Sequence, residues 1–289
     1  MSSLLPVIKL KSGFDHYAVI GNPISHSRSP QIHQLFAEQT DQNLIYQAIE
    51  SPLDQFTNMI RQFRDAGGLG LNVTVPFKQQ AWELATHRGE IAERAGAVNT
   101  LLFKNNLDQL EIHGHNTDGL GLVRDIIHNY GQTIADKRIL ILGAGGAVRG
   151  VLEPLLKEKP GSCVIANRTL SKAVELVDLF SDLTESESLR ASEYSHLGGS
   201  KFDLIINGTS ASLDGKLPPL KNSLLHNGAM CYDMMYSKKP TAFVSWGLEQ
   251  NAALSVDGLG MLIEQAAESF YMWRGIRPET KSVISLFRT

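Results

Sequence analysis

The segment from residue 138 to 169, RILILGAGGAVRGVLEPLLKEKPGSCVIANRT, constrains the chain more than any other. Residues 139–142 are a short apolar run of the kind a strand buried in a parallel sheet needs. Gly143, Ala144, Gly145 and Gly146 then turn the chain, because glycine reaches positive φ and puts no side chain in a ligand's way. Ala147 opens a stretch of helical composition to residue 157, and Pro154 within it predicts a kink or an early stop. Pro160-Gly161 closes a loop, and residues 162–166 form a second apolar strand. Unpaired N–H groups at a helix N-terminus, aided by the helix dipole, make an anion site; in a βαβ unit that anion is usually a dinucleotide pyrophosphate. The fit to G-x-G-x-x-G is incomplete, since Val148 stands at the third glycine, and a tight strand–helix turn with no ligand reads the same way.

The end of the second strand narrows the cofactor. An NAD site commonly offers an acid there to the ribose hydroxyls. This chain has Asn167-Arg168-Thr169, then Lys172, and no carboxylate. A guanidinium fork, an ammonium and a hydroxyl suit a 2′-phosphate, which favours NADP; the alternative is a solvated basic turn opening a helix over residues 171–180.

At 289 residues the chain is long enough for two domains, and its 43% hydrophobic and 20% charged content is that of a globular protein with full cores. A net charge of −3 gives no footing for a nucleic-acid partner. Cys163 and Cys231 lie in apolar runs and read as small core residues in a reducing compartment. No stretch approaches the roughly 20 apolar residues of a membrane span, and the N-terminus lacks the marks of a signal peptide, so a cytoplasmic protein is expected. Metal-ligand spacing is absent, so no metal is expected; His26 and His33 read as loop and helix residues. No Cys-His or G-x-S-x-G nucleophile is evident.

Ahead of the glycine turn, strands alternate with helices, which implies a parallel sheet. Residues 17–21 are a strand, followed by a polar loop holding Ser25, Ser27 and Ser29, with Ser29 as the expected cap of a helix to about residue 39. Residues 44–49 are a strand, 53–66 a helix and 71–75 a third strand. There Leu71, Val73 and Val75 point one way, Asn72 and Thr74 the other. Lys78 follows in the first turn of a helix, where a cation opposes the dipole. It reads either as a surface lysine costing up to about 1 kcal/mol or as a group tuned for acid–base work. Asn99 precedes a strand at 100–103, residues 104–110 read as a hairpin turn, and 111–115 as its return. Thr117 or Asp118 caps a helix over 120–130. After the second Rossmann strand come a short acidic, serine-rich loop at 181–188, a strand at 202–207 and a proline-rich loop at 217–224. A strand at 229–234, a helix at 241–250, a short strand at 254–256 and a terminal helix at 261–274 complete the reading. The terminal helix is expected to pack on the first domain, with Gln265 as its polar exception. Hydroxyls and amides at strand ends (Ser25, Ser27, Asn72, Thr74, Asn99), with Lys78 and Asp118, suit a small polyhydroxylated substrate beside a nicotinamide.

In order along the chain stand Gly21-Asn-Pro-Ile-Ser-His-Ser-Arg-Ser-Pro30, Asn72-Val-Thr-Val-Pro-Phe-Lys78, Ala97-Val-Asn-Thr100 and Asn116-Thr-Asp-Gly119. Gly143-Ala-Gly-Gly-Ala147, Asn167-Arg-Thr169, Asn207-Gly-Thr209 and Gly258-Leu-Gly-Met-Leu262 with Gln265-Ala266 complete the set. Through these motifs the chain resembles the shikimate dehydrogenase family over essentially its whole length. The resemblance implies an α/β fold of two domains. One is a mainly parallel-sheet substrate domain of residues 1–117 plus 259–289; the other is a Rossmann-type NADP-binding domain of residues 118–258. It implies NADPH-dependent reversible reduction of 3-dehydroshikimate to shikimate, a step towards chorismate and the aromatic amino acids, in a monomer or homodimer. On the matching positions, Ser25 and Ser27 would hold the substrate carboxylate. Asn72, Thr74, Asn99 and Gln265 would hold ring hydroxyls, Lys78 and Asp118 would be the catalytic pair, and Tyr236 would lie near the substrate. Gly143, Ala144, Gly145, Gly146, Ala147, Asn167, Arg168, Thr169, Lys172, Met234 and Gly258 would serve NADP(H). Two departures from the family pattern stand out: Ala242 follows Thr241 where proline is usual, and Lys172 replaces a common arginine, which removes a bidentate fork. The rival readings are an NAD-using quinate/shikimate dehydrogenase, against which the missing acid counts, and a non-catalytic shikimate-sensing module, against which the retention of Lys78 with Asp118 counts.

Overall fold

The computed structural model describes residues 10–106, 109–185, 187–211, 215–220 and 224–288. Parts of the expected hairpin turn, acidic loop and proline-rich loop lie outside them. The chain divides into two compact units, Met1–Thr117 with Gln265–Thr289, and Asp118–Glu264. The second division falls at residue 265, where the sequence reading set 259.

The first unit runs β1 (Asp15–Gly21), α1 (Ser29–Gln39), β2 (Leu44–Glu50), α2 (Phe56–Asp65), β3 (Gly68–Val73), α3 (Lys78–Leu84), β4 (His87–Arg88), α4 (Glu90–Ala95), β5 (Thr100–Asn106) and β6 (Gln109–His115). Its sheet has the order β2-β1-β3-β5-β6-β4. β1 is parallel to β2 and β3, as alternating strands and helices require, but β5 is antiparallel to β3 and β6 antiparallel to β5. The sheet is therefore mixed: β5 and β6 are joined as a hairpin, and only a crossover could have kept them parallel. α2 buries Phe56, Met59, Ile60 and Phe63, one stripe of a 3.6-residue repeat. Two details differ from expectation. Ser29 is the first residue of α1 rather than its cap, since Arg28 holds the cap position and its side chain does not cap the helix. Val75 lies 68% exposed beyond the end of β3, because a turn closed by Phe77 N–H donating to the Thr74 carbonyl ends the alternation.

The second unit runs α5 (Asp118–Arg124), one π-helical turn (Asp125–Asn129), β7 (Arg138–Leu142), α6 (Gly146–Lys157), β8 (Ser162–Ala166), α7 (Leu170–Phe180), β9 (Leu189–Ser192), β10 (Phe202–Asn207), β11 (Leu225–Asp233), α8 (Ala242–Glu249) and β12 (Leu254–Val256). The sheet order is β12-β11-β10-β7-β8-β9, and every pair is parallel. Counted from β7 this is the doubly wound order 3-2-1-4-5-6, with its switch point between β7 and β10. Pro154 neither stops nor shortens α6, which continues to Lys157. The proline packs on the start of α5, where a Cβ on Gly119 would come within 2.6 Å of its ring. β9 was missed in the sequence: the tetrapeptide Leu-Arg-Ala-Ser carries too little periodicity to announce a strand, and its pairing with β8 makes it one.

α9 (Leu259–Arg274) begins in the second unit, and from Gln265 onward it belongs to the first. There Trp273 stacks on Tyr17 with ring centroids 4.6 Å apart and donates from Nε1 to the Leu101 carbonyl at 3.1 Å. α10 (Lys281–Arg288), also unforeseen, is preceded by Glu279, whose carboxylate accepts from the backbone N–H groups of Lys281 and Ser282. No helix among the described residues is long and apolar enough to cross a membrane.

The aromatic side of the first core has a titratable centre. His33 is 1% exposed, lies parallel to Tyr46 at 4.0 Å, and among the described residues has no hydrogen-bond partner at either ring nitrogen. Burial lowers its pKa to about 3, with the nearby Asn72 side chain only partly opposing. A base depressed below its unfolded value near 6.5 contributes stability that is complete above that value and is lost as pH falls towards 3. Urea unfolding should therefore show roughly 1 kcal/mol less stability at pH 5.5 than at pH 7.5 from this group. His33→Phe should remove that difference; an unchanged pH dependence in the variant would assign the loss to other groups.

Candidate active site

In the first unit, strand direction decides which polar residues meet. β1 and β3 are parallel neighbours, so their carboxyl ends lie side by side. The loop after β1 is tied there by Asn22 N–H donating to the Val75 carbonyl and by Asn22 Nδ2 donating to the Ser51 carbonyl. A Cβ on Gly21 would stand 2.5 Å from Thr74 Cγ2, so only glycine lets this loop approach the end of β3 so closely. Ser25 is exposed on that loop, and Ser27 is half-buried, its Oγ accepting from the Ser29 N–H at 3.3 Å. Thr74 is half-buried at the same edge. β5, being antiparallel, starts where β3 ends: Asn72 pairs with Thr100, and Val73 N–H donates to the Asn99 carbonyl. β6 returns to the same edge with Thr100 opposite His115, delivering Thr117 beside Asn99.

A buried polar layer results. Asn72, Asn99, Thr100, Thr117 and Ser269 are each less than a tenth exposed. Asn72 Oδ1 accepts from Tyr46 Oη at 2.7 Å, and its Nδ2 approaches the Asn99 carbonyl (3.1 Å), Thr100 Oγ1 (3.1 Å) and Ser269 Oγ (2.9 Å). Asn72, expected among the ring-hydroxyl contacts, thus has both amide atoms bonded inside the protein. Asn99 Nδ2 donates to Thr117 Oγ1 at 2.9 Å and towards Gln265 Oε1 at 3.3 Å. Gln265 is half-buried on α9.

Lys78 is the first residue of α3 and half-buried. Phe77, fully buried and stacked on Phe56 at 4.7 Å, fixes the backbone beside it, and the Lys78 carbonyl accepts from Val98 N–H. Asp118 opens α5 in the second unit and is 9% exposed. A carboxylate in a first helical turn is favoured by the dipole. The Thr117 hydroxyl lies among Asn99, Gln265 and Ser269.

In the second unit the turns after β7, β10 and β11 meet at the switch point. Gly143 has φ +102, which favours glycine, and a Cβ there would lie 3.0 Å from Thr209 Cγ2. A Cβ on Gly208 would fall 2.3 Å from Val148 Cγ2 and 3.3 Å from Met234 Sδ. One on Gly258 would fall 2.4 Å from the Met234 carbonyl oxygen, so Met234 and Gly258 share this corner. Gly145 is the N-cap of α6 without a side-chain cap, and no described residue lies within 4 Å of the Cβ position of Gly145 or Gly146. Open space over bare backbone at a helix N-terminus, with no acidic residue in its first turn, fits a pyrophosphate. Ala144 and Ala147 flank the turn, half-buried. At the end of β8, Asn167 Nδ2 donates to the Thr169 carbonyl and shapes the turn, while Arg168, Thr169 and Lys172 are exposed. This donor set fits the 2′-phosphate of NADP.

Sequence reasoning missed the support under this corner. Asn207 Nδ2 donates to Asp233 Oδ1, Thr241 Oγ1 donates to Asp233 Oδ2 at 2.6 Å, and Met235 N–H donates to Asp233 Oδ1. Asn207 and Asp233 are wholly buried. Thr241 also caps α8 by accepting from Val244 N–H, so the departure at Ala242 leaves a well-formed helix start. Tyr236 follows, half-buried. Cys163 and Cys231 are buried free thiols, and burial pushes both up to about 12, away from nucleophilic use.

Pairing of β4 with β6 brings together a group that sequence spacing hid. The ligating atoms of His87, Glu111 and His113 lie within 4.8 Å of one another. His113 Nε2 is 2.7 Å from Glu111 Oε2, and the two imidazoles stack at 4.7 Å and 18°. Nearly parallel rings aim their lone pairs side by side rather than at one point.

Comparison with known proteins agrees with this arrangement. Residues 19–101 match the family model for the shikimate dehydrogenase substrate binding domain, 125–214 that for shikimate / quinate 5-dehydrogenase, and 258–285 that for the shikimate 5′-dehydrogenase C-terminal domain. The NADP(+) shikimate dehydrogenase of Alkalilimnicola ehrlichii is 55% identical over 95% of this chain and 98% of its own. That of Cellvibrio japonicus is 56% identical over 95% and 97%. Among solved structures, an Ael1 enzyme from Pseudomonas putida matches with TM-score 0.89 at 47% identity, covering 95% of this chain and 98% of that one. The Thermus thermophilus shikimate 5-dehydrogenase, solved with NADP(H) and shikimate, matches with TM-score 0.82 at 28% identity over 95% and 99%. With the glycine turn at the switch point, the basic end of β8 and relatives above 50% identity over nearly its whole length, the chain belongs to the shikimate dehydrogenase family.

Proposed function

We infer that this protein catalyses the NADPH-dependent, reversible reduction of 3-dehydroshikimate to shikimate, in the pathway to chorismate and the aromatic amino acids. The observation that carries this is its identity of 55% across 95% of the chain to an NADP(+) shikimate dehydrogenase. Residues 1–117 with the C-terminal segment act as the substrate-binding part and the parallel-sheet unit as the dinucleotide-binding part. Ser25 and Ser27 donate to the substrate carboxylate from a loop that Gly21 allows close to Thr74. Asn72, Thr74, Asn99 and Gln265 bind ring hydroxyls, and Tyr236 borders the substrate.

Bound NADPH supplies the hydride that reduces the C3 carbonyl. Lys78 stabilises the oxygen on which negative charge develops and gives it a proton, and Asp118 accepts a hydrogen bond from the resulting hydroxyl. The backbone from Gly143 to Ala147 takes the pyrophosphate; Asn167, Arg168, Thr169 and Lys172 take the 2′-phosphate; Met234 and Gly258 border the nicotinamide end. Small-molecule ligands, a cytoplasmic location and a monomer or homodimer complete the reading; a net charge of −3 disfavours nucleic acid.

The deciding experiment follows absorbance at 340 nm with shikimate, offering NADP and NAD in parallel. A kcat/KM at least about 100-fold higher with NADP supports the reading, since losing charge-assisted phosphate contacts costs several kcal/mol. Comparable rates with NAD would replace it by the quinate/shikimate type, and tight shikimate binding without turnover by a sensor. Arg168→Asp should weaken NADP(H) at least tenfold while sparing NAD. Unchanged NADP(H) affinity would remove Arg168 from the 2′-phosphate site. Lys78→Ala should lower kcat by about 10²–10⁴ with little change in KM for shikimate, whereas a change in KM alone would make Lys78 a binding group only.

A further inference from the structure

We propose that Arg149 is a cofactor-binding residue whose guanidinium takes the pyrophosphate of the dinucleotide from the helix side, while the backbone of residues 143–147 takes it from the turn. The inference rests on the reading of that turn as the pyrophosphate site and adds a charged side chain to it.

The phase of α6 directs the side chain. Arg149 is the fourth residue of the helix, and its N–H donates to the Gly145 carbonyl at 3.0 Å, so it stands one turn beyond Gly145 on the same face. Helical Cα–Cβ bonds tilt towards the N-terminus, which leads the arm of Arg149 back towards the glycine turn. The turn has room for a ligand, because Gly145 and Gly146 are exposed and no described residue lies within 4 Å of either Cβ position. The other faces of the helix are taken. Val148, Val151, Leu152 and Leu155 are buried in the core of the unit. Gly150 and Pro154 pack against Gly119 of α5, where a Cβ would come within 2.9 Å of the Gly150 carbonyl oxygen and 2.6 Å of the proline ring.

The charge itself calls for an anion. A cation near a helix N-terminus opposes the dipole, and the first turn of α6 has no acidic residue to offset it. Among the described residues Arg149 Nε is buried without a hydrogen-bond partner, and no ion pair joins Arg149 to an acid. Glu153, four residues on, is held by Lys157 at 2.7 Å. A buried guanidinium N–H without an acceptor costs stability. A pyrophosphate supplies acceptors that carry negative charge, and the planar guanidinium fork meets two of its oxygens at once. The N–H groups of the turn act on the same anion, so the dipole that opposes the guanidinium favours the group it binds. Since NADP and NAD share the pyrophosphate, Arg149 strengthens both, and discrimination between them stays with the residues at the end of β8.

The test is steady-state kinetics of Arg149→Met and Arg149→Lys with shikimate, offering NADP and NAD in parallel, with melting temperatures taken with and without NADP. Methionine keeps an unbranched arm for packing and deletes the charge. Arg149→Met should lower kcat/KM about tenfold with each nucleotide, the loss of one charge-assisted contact. KM for shikimate and kcat at saturating NADP should change less than about twofold. Arg149→Lys, which keeps the charge and loses the fork, should fall between the two. Without nucleotide, Arg149→Met should melt no lower than the parent, because a cation opposing the dipole is gone, and NADP should raise its melting temperature by less. A fall in kcat/KM with NADP alone would put the guanidinium at the 2′-phosphate and overturn the pyrophosphate assignment. Unchanged kcat/KM with both nucleotides would overturn it outright, and a lowered melting temperature in that case would make Arg149 a helix-surface group only. Arg168→Asp separates this inference from the reading beneath it: if that variant weakens NADP while Arg149→Met weakens neither nucleotide, the dinucleotide site stands and Arg149 is no part of it. If the parent protein turns over neither nucleotide, the reading fails and the inference with it. Should Arg149→Met not fold, Arg149→Lys decides, since an equal fall with both nucleotides supports the contact and no fall overturns it.

Discussion

In the first unit, the pairing of Asn72 on β3 with Thr100 on antiparallel β5 gathers the polar side chains of the site on one edge of the sheet. A parallel fifth strand would begin at the opposite edge, a strand length away, and Asn99 could not reach Asn72. The hairpin brings β6 back to the same edge and sets Thr117 N–H against Asn99 Oδ1. Each contact is an ordinary hydrogen bond worth about 1 kcal/mol net. Their weight comes from burial, where an unsatisfied partner costs more than the bond returns.

The second unit solves a similar placement problem by another route. All of its strands are parallel, so every strand end and every following turn lies on one edge. The switch between β7 and β10 parts the crossovers and leaves room at that edge. Close approach there depends on absent side chains: Gly208 against Val148 and Gly258 against the Met234 carbonyl. Beneath the corner, Asp233 accepts from Asn207, Thr241 and Met235, a buried carboxylate with its lone pairs satisfied.

Local motifs were readable wherever the physics was local. The glycine turn, the apolar runs of β7, β8 and β10, the basic end of β8 and the stripe of α2 each follow from spacing and residue type. The misreadings share one cause. Val75 continued an alternation that a turn had already ended, and Pro154 was read as a kink or an early stop although its ring packs on the bare backbone of Gly119. β9 and β4 carry too few residues for a periodic signal and are defined by what they pair with, while α10 is preceded by a carboxylate that accepts from its first N–H groups. Lys78 could be given a role only through the family motif, since position alone spoke for an ordinary surface lysine.

By itself the sequence determined the class of fold, the dinucleotide unit, the preference for a 2′-phosphate and, through its ordered motifs, the family and the reaction, because these depend on neighbours within a few residues or on an unbroken set of signatures. Tertiary structure alone decided that the first sheet reverses at β5, that Asn72 faces inward with both amide atoms bonded, and that Thr100 and Ser269, which lie 169 positions apart, share one hydrogen-bonded layer. Those facts depend on which strands pair and in which direction. Pairing is settled by the burial of whole faces, which no local stretch of chain encodes.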